Sequence, residues 1–258
     1  MPEPADRPMG ILAEPNSDRA LRASLDGIVY ARHPVRTHLV TAADDAVEVA
    51  RRYADPLGSD VAFVAVSERM VAITQGRSYP MSSIRPGRLA RFLVRFVTRP
   101  GYGIGLGTAE TMQLAISEVG APRILLAAAV SGITKPLGIH GLFYRIAGPQ
   151  AAAIDGPTPY TIPPYNQAAT LGPKDPQAAA RRIAAALGVP VAVIDANDAG
   201  CKVLGLSHGL VRQQVERLFA DNPLGQASEQ TPICVVRRAE WPAGEPAPPE
   251  PRRRITPP

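Results

Sequence analysis

One stretch constrains this chain more than any other: Val191-Ala192-Val193-Ile194, followed at once by Asp195-Ala196-Asn197-Asp198-Ala199-Gly200. Four consecutive apolar residues with an abrupt polar end read as a buried strand that runs out into a turn. The residues just before them reinforce this. Asp175-Pro176 opens a helix, with Asp as N-cap and Pro in the first turn. Alanine-rich sequence carries it to Leu187, and Gly188 closes it. A helix that feeds a buried strand within a few residues needs a sheet with helices against it. The polar end has two readings. Asp195, Asn197 and Asp198 supply hard oxygen ligands of the kind that hold Mg²⁺ or Mn²⁺ near a nucleotide phosphate. Asn and Asp are equally at home in an ordinary turn, where their side chains bond the local backbone.

Upstream, alternating signals define the rest of the architecture. Residues 1–20 lack periodicity and read as a loose lead-in, and residues 42–53 carry apolar positions at helical spacing. Residues 61–66 and 70–73 are short β-rich runs parted by Glu68-Arg69, which suggests paired or successive strands. Residues 85–97 form a basic amphipathic helix stopped at Pro100. The glycine-alternating segment Gly101-Tyr102-Gly103-Ile104-Gly105-Leu106-Gly107-Thr108 then leads into a helix that Thr108 caps. Free backbone N–H groups at such a terminus can cradle phosphate, so Gly103, Gly105 and Thr108 are candidates. The segment lacks the Lys-Ser/Thr pair of a P-loop and the spacing of a dinucleotide fingerprint, and a plain flexible loop is the alternative. Residues 124–130 are strand or buried helix, 132–148 irregular and 160–165 loop. Residues 203–206 and 233–236 are strands. Between them Ser207 caps a helix whose apolar face is Leu210, Val211, Val215, Leu218 and Phe219.

The expected fold is α+β, with mixed and antiparallel sheets and flanking helices. Its domain organisation is a lead-in over 1–20, one α+β domain over 21–240 with a subdomain break near 150–175, and a Pro/Arg-rich tail over 241–258. That tail cannot bury enough apolar surface to fix its backbone.

Composition narrows the function. The net charge is +5, part of it in Arg252, Arg253 and Arg254, and aromatics make up 5% of the chain. With no basic stripe interleaved with aromatics, nucleic acid is not an expected partner. The longest apolar run is too short to span a bilayer, and no charged-then-apolar leader begins the chain. A cytoplasmic protein without a membrane partner is therefore expected. Cys201 and Cys234 lie in apolar stretches without metal-ligand spacing and read as small core residues.

Several fragments, taken in order, resemble the coenzyme F420-0:L-glutamate ligase (F420 γ-glutamyl ligase) family. Asp60-Val61-Ala62-Phe63-Val64-Ala65-Val66-Ser67-Glu68 with Gln75-Gly76-Arg77 resembles the family's opening strand pair, which ends in Gly-Arg. His140-Gly141-Leu142 and Ala153-Ile154-Asp155 resemble its His-Gly-Leu and Gly-Ile-Asp. Leu171-Gly172-Pro173-Lys174-Asp175-Pro176 resembles its Leu-Leu-Pro-x-Asp-Pro, and Asp195 to Gly200 falls where the family has Asp-Thr-x-Gly-Arg. Two departures mark the chain as divergent: Gly200 is followed by Cys201-Lys202-Val203 where the family's Asp-Thr-x-Gly-Arg continues into Trp-Arg, and Gly156-Pro157-Thr158 replaces Ser-Asn.

The resemblance implies two subdomains with a nucleotide cleft, a homodimer, and a GTP-dependent ligase assisted by Mg²⁺ or Mn²⁺. Such an enzyme activates the carboxylate of F420-0, or a related acid acceptor, as an acyl phosphate that the amine of L-glutamate displaces. By the same resemblance Asp155, Asp195, Asn197 and Asp198 hold the metal. Gly103, Gly105, Thr108 and Ser67 contact the nucleotide, and His140, Arg77 and Lys135 serve the reacting anions. The structural alternatives are a satisfied His beside Gly141, a solvated turn Arg and a solvated Lys. A non-catalytic member of the fold that binds a nucleotide or metabolite is the second functional expectation.

Overall fold

The computed structural model describes residues 9–54, 58, 60–97, 105–139, 141–241, 246, 248 and 250–252. The chain divides into a first unit, Met1–Gly76 with Pro173–Pro258, and a second unit, Arg77–Gly172, inserted within it.

The first unit is built on one mixed sheet. In chain order it contains β1 (Gly10–Ile11), β2 (Arg22–Leu25), β3 (Ile28–Arg36), α1 (Ala46–Ala54), β4 (Val61–Ser67) and α2 (Glu68–Thr74). The second unit follows, with β5 (Ser78–Pro80), α3 (Arg88–Leu93), α4 (Ala109–Val119), α5 (Ala121–Thr134), α6 (Leu142–Ala147), α7 (Pro149–Ala152) and β6 (Ala168–Thr170). The chain then returns through α8 (Pro176–Leu187), β7 (Val191–Asn197), β8 (Gly200–Leu206), α9 (Arg212–Leu218) and β9 (Ile233–Arg238).

The large sheet has the order β1-β3-β9-β4-β7-β8, and β2 also pairs with β3. Its β4–β7 pair is parallel and its other pairings are antiparallel. The mixed α+β architecture expected from the sequence is therefore present. β4 and β7 lie inside the sheet and are buried on both faces, which explains why Val64-Ala65-Val66 and Val191 to Ile194 are unbroken apolar runs. One face packs Phe63, Ala65, Ala192 and Ile194 against Val215, Leu218 and Phe219 of the α9 region. α1 and α8 pack against each other, and α8 also packs on β7 and β8. Gly205 permits that last contact, because a Cβ there would lie 2.1 Å from the Pro176 carbonyl oxygen.

Several local expectations change. The lead-in is anchored from Gly10 onward: Asn16 is buried and donates to the carbonyls of Pro223 (3.1 Å) and Leu224 (3.0 Å). Met70 to Ile73 is helix rather than strand. Ser67 caps α2 by accepting the Met70 N–H at 3.2 Å, and a run buried all round has no periodicity to reveal its type. Ser207 caps no helix; its hydroxyl accepts the Val191 N–H at 2.7 Å, α9 starts at Arg212, and Val211 is exposed. β7 extends through Asn197, so Asp195 and Asn197 belong to the strand and not to the turn. Most of the tail beyond Trp241 lies outside the described residues, although Glu250 pairs with Arg217 at 2.6 Å.

The second unit is helical around its own core of Leu93, Leu106, Met112, Ile124, Ala147 and Leu171. Residues 124–130 are helix within α5, and α6 occupies sequence expected to be irregular. A two-stranded ladder, β5–β6, stands where the chain enters and leaves this unit. Among the described residues no single helix is long and apolar enough to cross a membrane.

Candidate functional site

In the first unit the parallel pairing of β4 with β7 sets Ser67, the last residue of β4, opposite Ile194, beyond which β7 runs on through Asn197 at its carboxyl end. That edge is where α/β sheets commonly receive ligands. Side chains alternate along a strand, so Asp195 and Asn197 share one face of β7. β7 and β8 form a hairpin closed by the Asn197–Gly200 pair, leaving Asp198-Ala199 as its two-residue turn. Lys202 stands across from Asp195 in the register and is exposed.

The side chains here are committed in particular ways. Asn197 accepts the Ala199 N–H through Oδ1 at 2.9 Å and turns its Nδ2 toward Asp195 Oδ1, 3.4 Å away. Asp198 forms an ion pair with Arg19 at 2.8 Å, and its backbone N–H donates to Gln226 Oε1 at 2.9 Å. A hard divalent cation needs several oxygens converging on one point. Asn197 instead uses its oxygen in an Asx-type turn, and a guanidinium neutralises Asp198. The donor set does not fit such a cation, and the turn reading accounts for both residues. Among the described residues no group of three or more His, Cys, Asp and Glu side chains is placed to hold a metal. Cys201, on the adjacent strand, is a poor nucleophile. Burial pushes its thiol far above the ordinary range, and the nearby Asp195 and Glu216 carboxylates add to the shift.

In the second unit three separated fragments meet. Asp155 exchanges backbone hydrogen bonds with Thr170, both at 2.9 Å. Thr170 faces Ser78 across the β5–β6 ladder, with their hydroxyls 2.9 Å apart. The Leu171 N–H donates to the Arg77 carbonyl at 2.9 Å, and Arg77 Nε donates to the Gly172 carbonyl at 2.6 Å. Arg77 also pairs with Glu118 at 2.6 Å and is 5% exposed. This guanidinium therefore ties the two ends of the unit together. To clamp an anion it would have to give up those partners.

Asp155 is exposed and belongs to this unit, whereas Asp195, Asn197 and Asp198 belong to the other. Lys135 is exposed on the 3₁₀ turn after α5. Gly105 lies in a turn with φ of 48°, ahead of α4. Thr108 caps α4 in a capping box: its hydroxyl accepts the Thr111 N–H at 3.2 Å, and its own N–H donates to Thr111 Oγ1 at 3.3 Å. Both groups are thus occupied inside the helix terminus. Gly103 and His140 lie outside the described residues.

Arg19, Gln226 and Glu118 define these environments, yet none has a local sequence signal. Each acts on a residue far away in the chain. No protein-family model matches the sequence, and no curated protein matches it.

Proposed function

We propose that this chain is a divergent amide-bond ligase of the γ-glutamyl ligase type, joining L-glutamate to an F420-0-like acid acceptor with GTP as co-substrate. The observation that carries the reading is the meeting, in one unit, of fragments on which the resemblance rests: Arg77, Asp155 and Leu171-Gly172 share one hydrogen-bonded corner. A second pair of fragments supplies the neighbouring parallel strands β4 and β7. In this chemistry an acceptor carboxylate oxygen attacks the γ-phosphorus and GDP leaves. The glutamate amine then attacks the acyl carbon, forms the amide and expels inorganic phosphate. Bringing two anions together requires positive charge close by. Asn197 and Asp198 do not fit the Mg²⁺ or Mn²⁺ that the resemblance implies, so within the corner of Arg77 and Asp155 the cationic role falls to side chains of that unit such as Lys135. A homodimer and a cytoplasmic location belong to the same reading.

A second reading has specific observations in its favour. Arg77, Asn197 and Asp198 are held by internal partners, as expected of a non-catalytic member that keeps the fold and binds a nucleotide or metabolite. Calorimetric titration of GTP and GDP, with and without Mn²⁺, should be paired with phosphate release in the presence of L-glutamate and the acceptor. Release that depends on both co-substrates supports the ligase. Nucleotide binding without release supports the second reading, and no binding under any condition removes the ligase and leaves a non-catalytic member that binds no guanine nucleotide.

A further inference from the structure

The surface of the inserted unit carries a feature that neither reading uses. Between Glu68 and Glu110 the sequence contains seven arginines and no carboxylate. Residues 77–172 hold eight arginines and one lysine against three carboxylates, a net +6 in a chain whose total is +5. The rest of the protein is thus close to neutral, and the basic character is concentrated in this unit.

α3 and the 3₁₀ turn Val94–Phe96 that extends it focus this charge. Their inner side buries Ala90 and Leu93 in the unit's core. Phe92 and Phe96, four residues apart, are 54% and 64% exposed and stack edge to face with centroids 5.2 Å apart. On the same segment Arg88, Arg91 and Arg95, and Arg85 just before it, are all exposed, and none takes part in the ion pairs of the described residues. Two exposed phenylalanines on a short segment whose exposed arginines make no ion pair within the described residues form a surface with a definite complement. That complement is negatively charged at its face and apolar just beneath.

We propose that α3 and its extension dock this protein on an anionic phospholipid surface. Phe92 and Phe96 would enter the boundary between headgroups and acyl chains, and the arginines would bind lipid phosphates, their stems lying along the apolar layer. Arg88, Arg91, Phe92, Arg95 and Phe96 do form a basic stripe with interleaved aromatics, contrary to the expectation from composition, but nucleic acid is the less fitting polyanion. Bases need open aromatic faces to stack on, whereas these two rings engage each other. The same unit also exposes the aliphatic residues Leu125, Leu126 and Ile133, at 45%, 57% and 70%, which have no use against bases or phosphates. The expectation of no membrane partner rests on spanning length, which does not bear on a helix lying along a surface. The inference does not depend on the ligase reading.

Flotation of the full chain with vesicles of phosphatidylcholine, alone or mixed with phosphatidylglycerol, tests the proposal. Binding is expected only to the anionic vesicles and should be lost as salt is raised. F92S/F96S and R88Q/R95Q should each weaken it by roughly tenfold or more, whereas R88K/R95K should keep it within about threefold. The altered side chains are exposed, so circular dichroism and thermal unfolding should match the parent protein. Absence of flotation, equal flotation with neutral vesicles, or flotation indifferent to both sets of substitutions would overturn the proposal. Salt-dependent binding of a labelled oligonucleotide without flotation would also overturn it and assign the surface to nucleic acid.

Discussion

The sheet unit buries two arginines, Arg32 and Arg36, whereas the inserted helical unit leaves most of its charges, and many of its large apolar side chains, exposed among the described residues. In the first, Arg32 is 1% exposed and is held by Asp221 at 2.5 and 2.9 Å and by the carbonyls of Leu218 and Ala20. Arg19, whose side chain is 8% exposed, pairs with Asp198. In the second, Arg77 is the buried cation among the described residues, and Phe92, Phe96, Leu125, Leu126, Ile133 and Ile139 stand exposed. A unit that satisfies its polar groups internally fixes its own structure and asks little of the outside. A unit that leaves apolar and cationic groups in solvent is shaped for something else to cover it. The contrast places the internally paired Arg19 and Arg32 in one unit and the proposed membrane-docking surface in the other.

The sharpest way to break this contrast is to empty the buried charge. Arg32→Met should destabilise the sheet unit by about 3–5 kcal/mol, because Asp221 and two carbonyls lose their partner. Trp241, the protein's single tryptophan, belongs to that unit, so urea unfolding followed by its fluorescence reads the loss there. A midpoint unchanged from the parent would show that the network is dispensable. A smaller effect separates scaffold from site in the other unit. Arg77→Gln should cost about 1.5–3 kcal/mol, the range for hydrogen bonds to a charged group, read by circular dichroism. If stability holds and only GTP affinity falls, Arg77 is an anion clamp after all.

The smallest expected effect concerns pH. The Thr41 backbone N–H, at 2.7 Å, holds the Asp44 carboxyl below its ordinary value, with His38 at 3.0 Å and the Thr41 hydroxyl assisting against the opposing effect of burial. A carboxyl depressed on folding adds stability that is full above its unfolded value and disappears as pH falls through the folded one. Asp44→Asn should therefore flatten the acid limb of the stability profile and leave its neutral plateau shape unchanged. An acid limb identical to the parent's would remove Asp44 from the account.

Much of the sheet unit was legible because its signals are local. Asp175 accepts the Ala178 N–H at 2.8 Å as the N-cap of α8, Gly188 closes that helix with φ of 71°, and β7 follows directly. Residues 70–73 and 124–130 were ambiguous for the opposite reason: a short apolar run has no period to distinguish strand from helix. The polar end of β7 was legible as chemistry but not as geometry. Whether Asp198 faces a cation or a guanidinium depends on Arg19, and no spacing rule connects residues so far apart. The crossing at Gly76–Arg77 likewise has no sharp mark in the sequence, because the carboxylate-free, arginine-rich run begins at Arg69, before it. What marks it is the bond from Leu171 back to the Arg77 carbonyl, which only the folded chain contains.

That bond has a kinetic consequence. β4 and β7 are direct neighbours in the sheet, yet the whole of Arg77–Gly172 lies between them in sequence. If the two strands had to find each other across a free chain of that length, closure entropy would raise the barrier. Once Arg77 and Leu171 are joined, the route from Ser67 to Val191 is reduced to α2, α8 and their short connections. From the logarithmic dependence on loop length, the saving is about 1 kcal/mol. An insert with paired ends thus serves as a clasp in assembly: folding it early shortens the search for the one parallel pairing on which the sheet is centred.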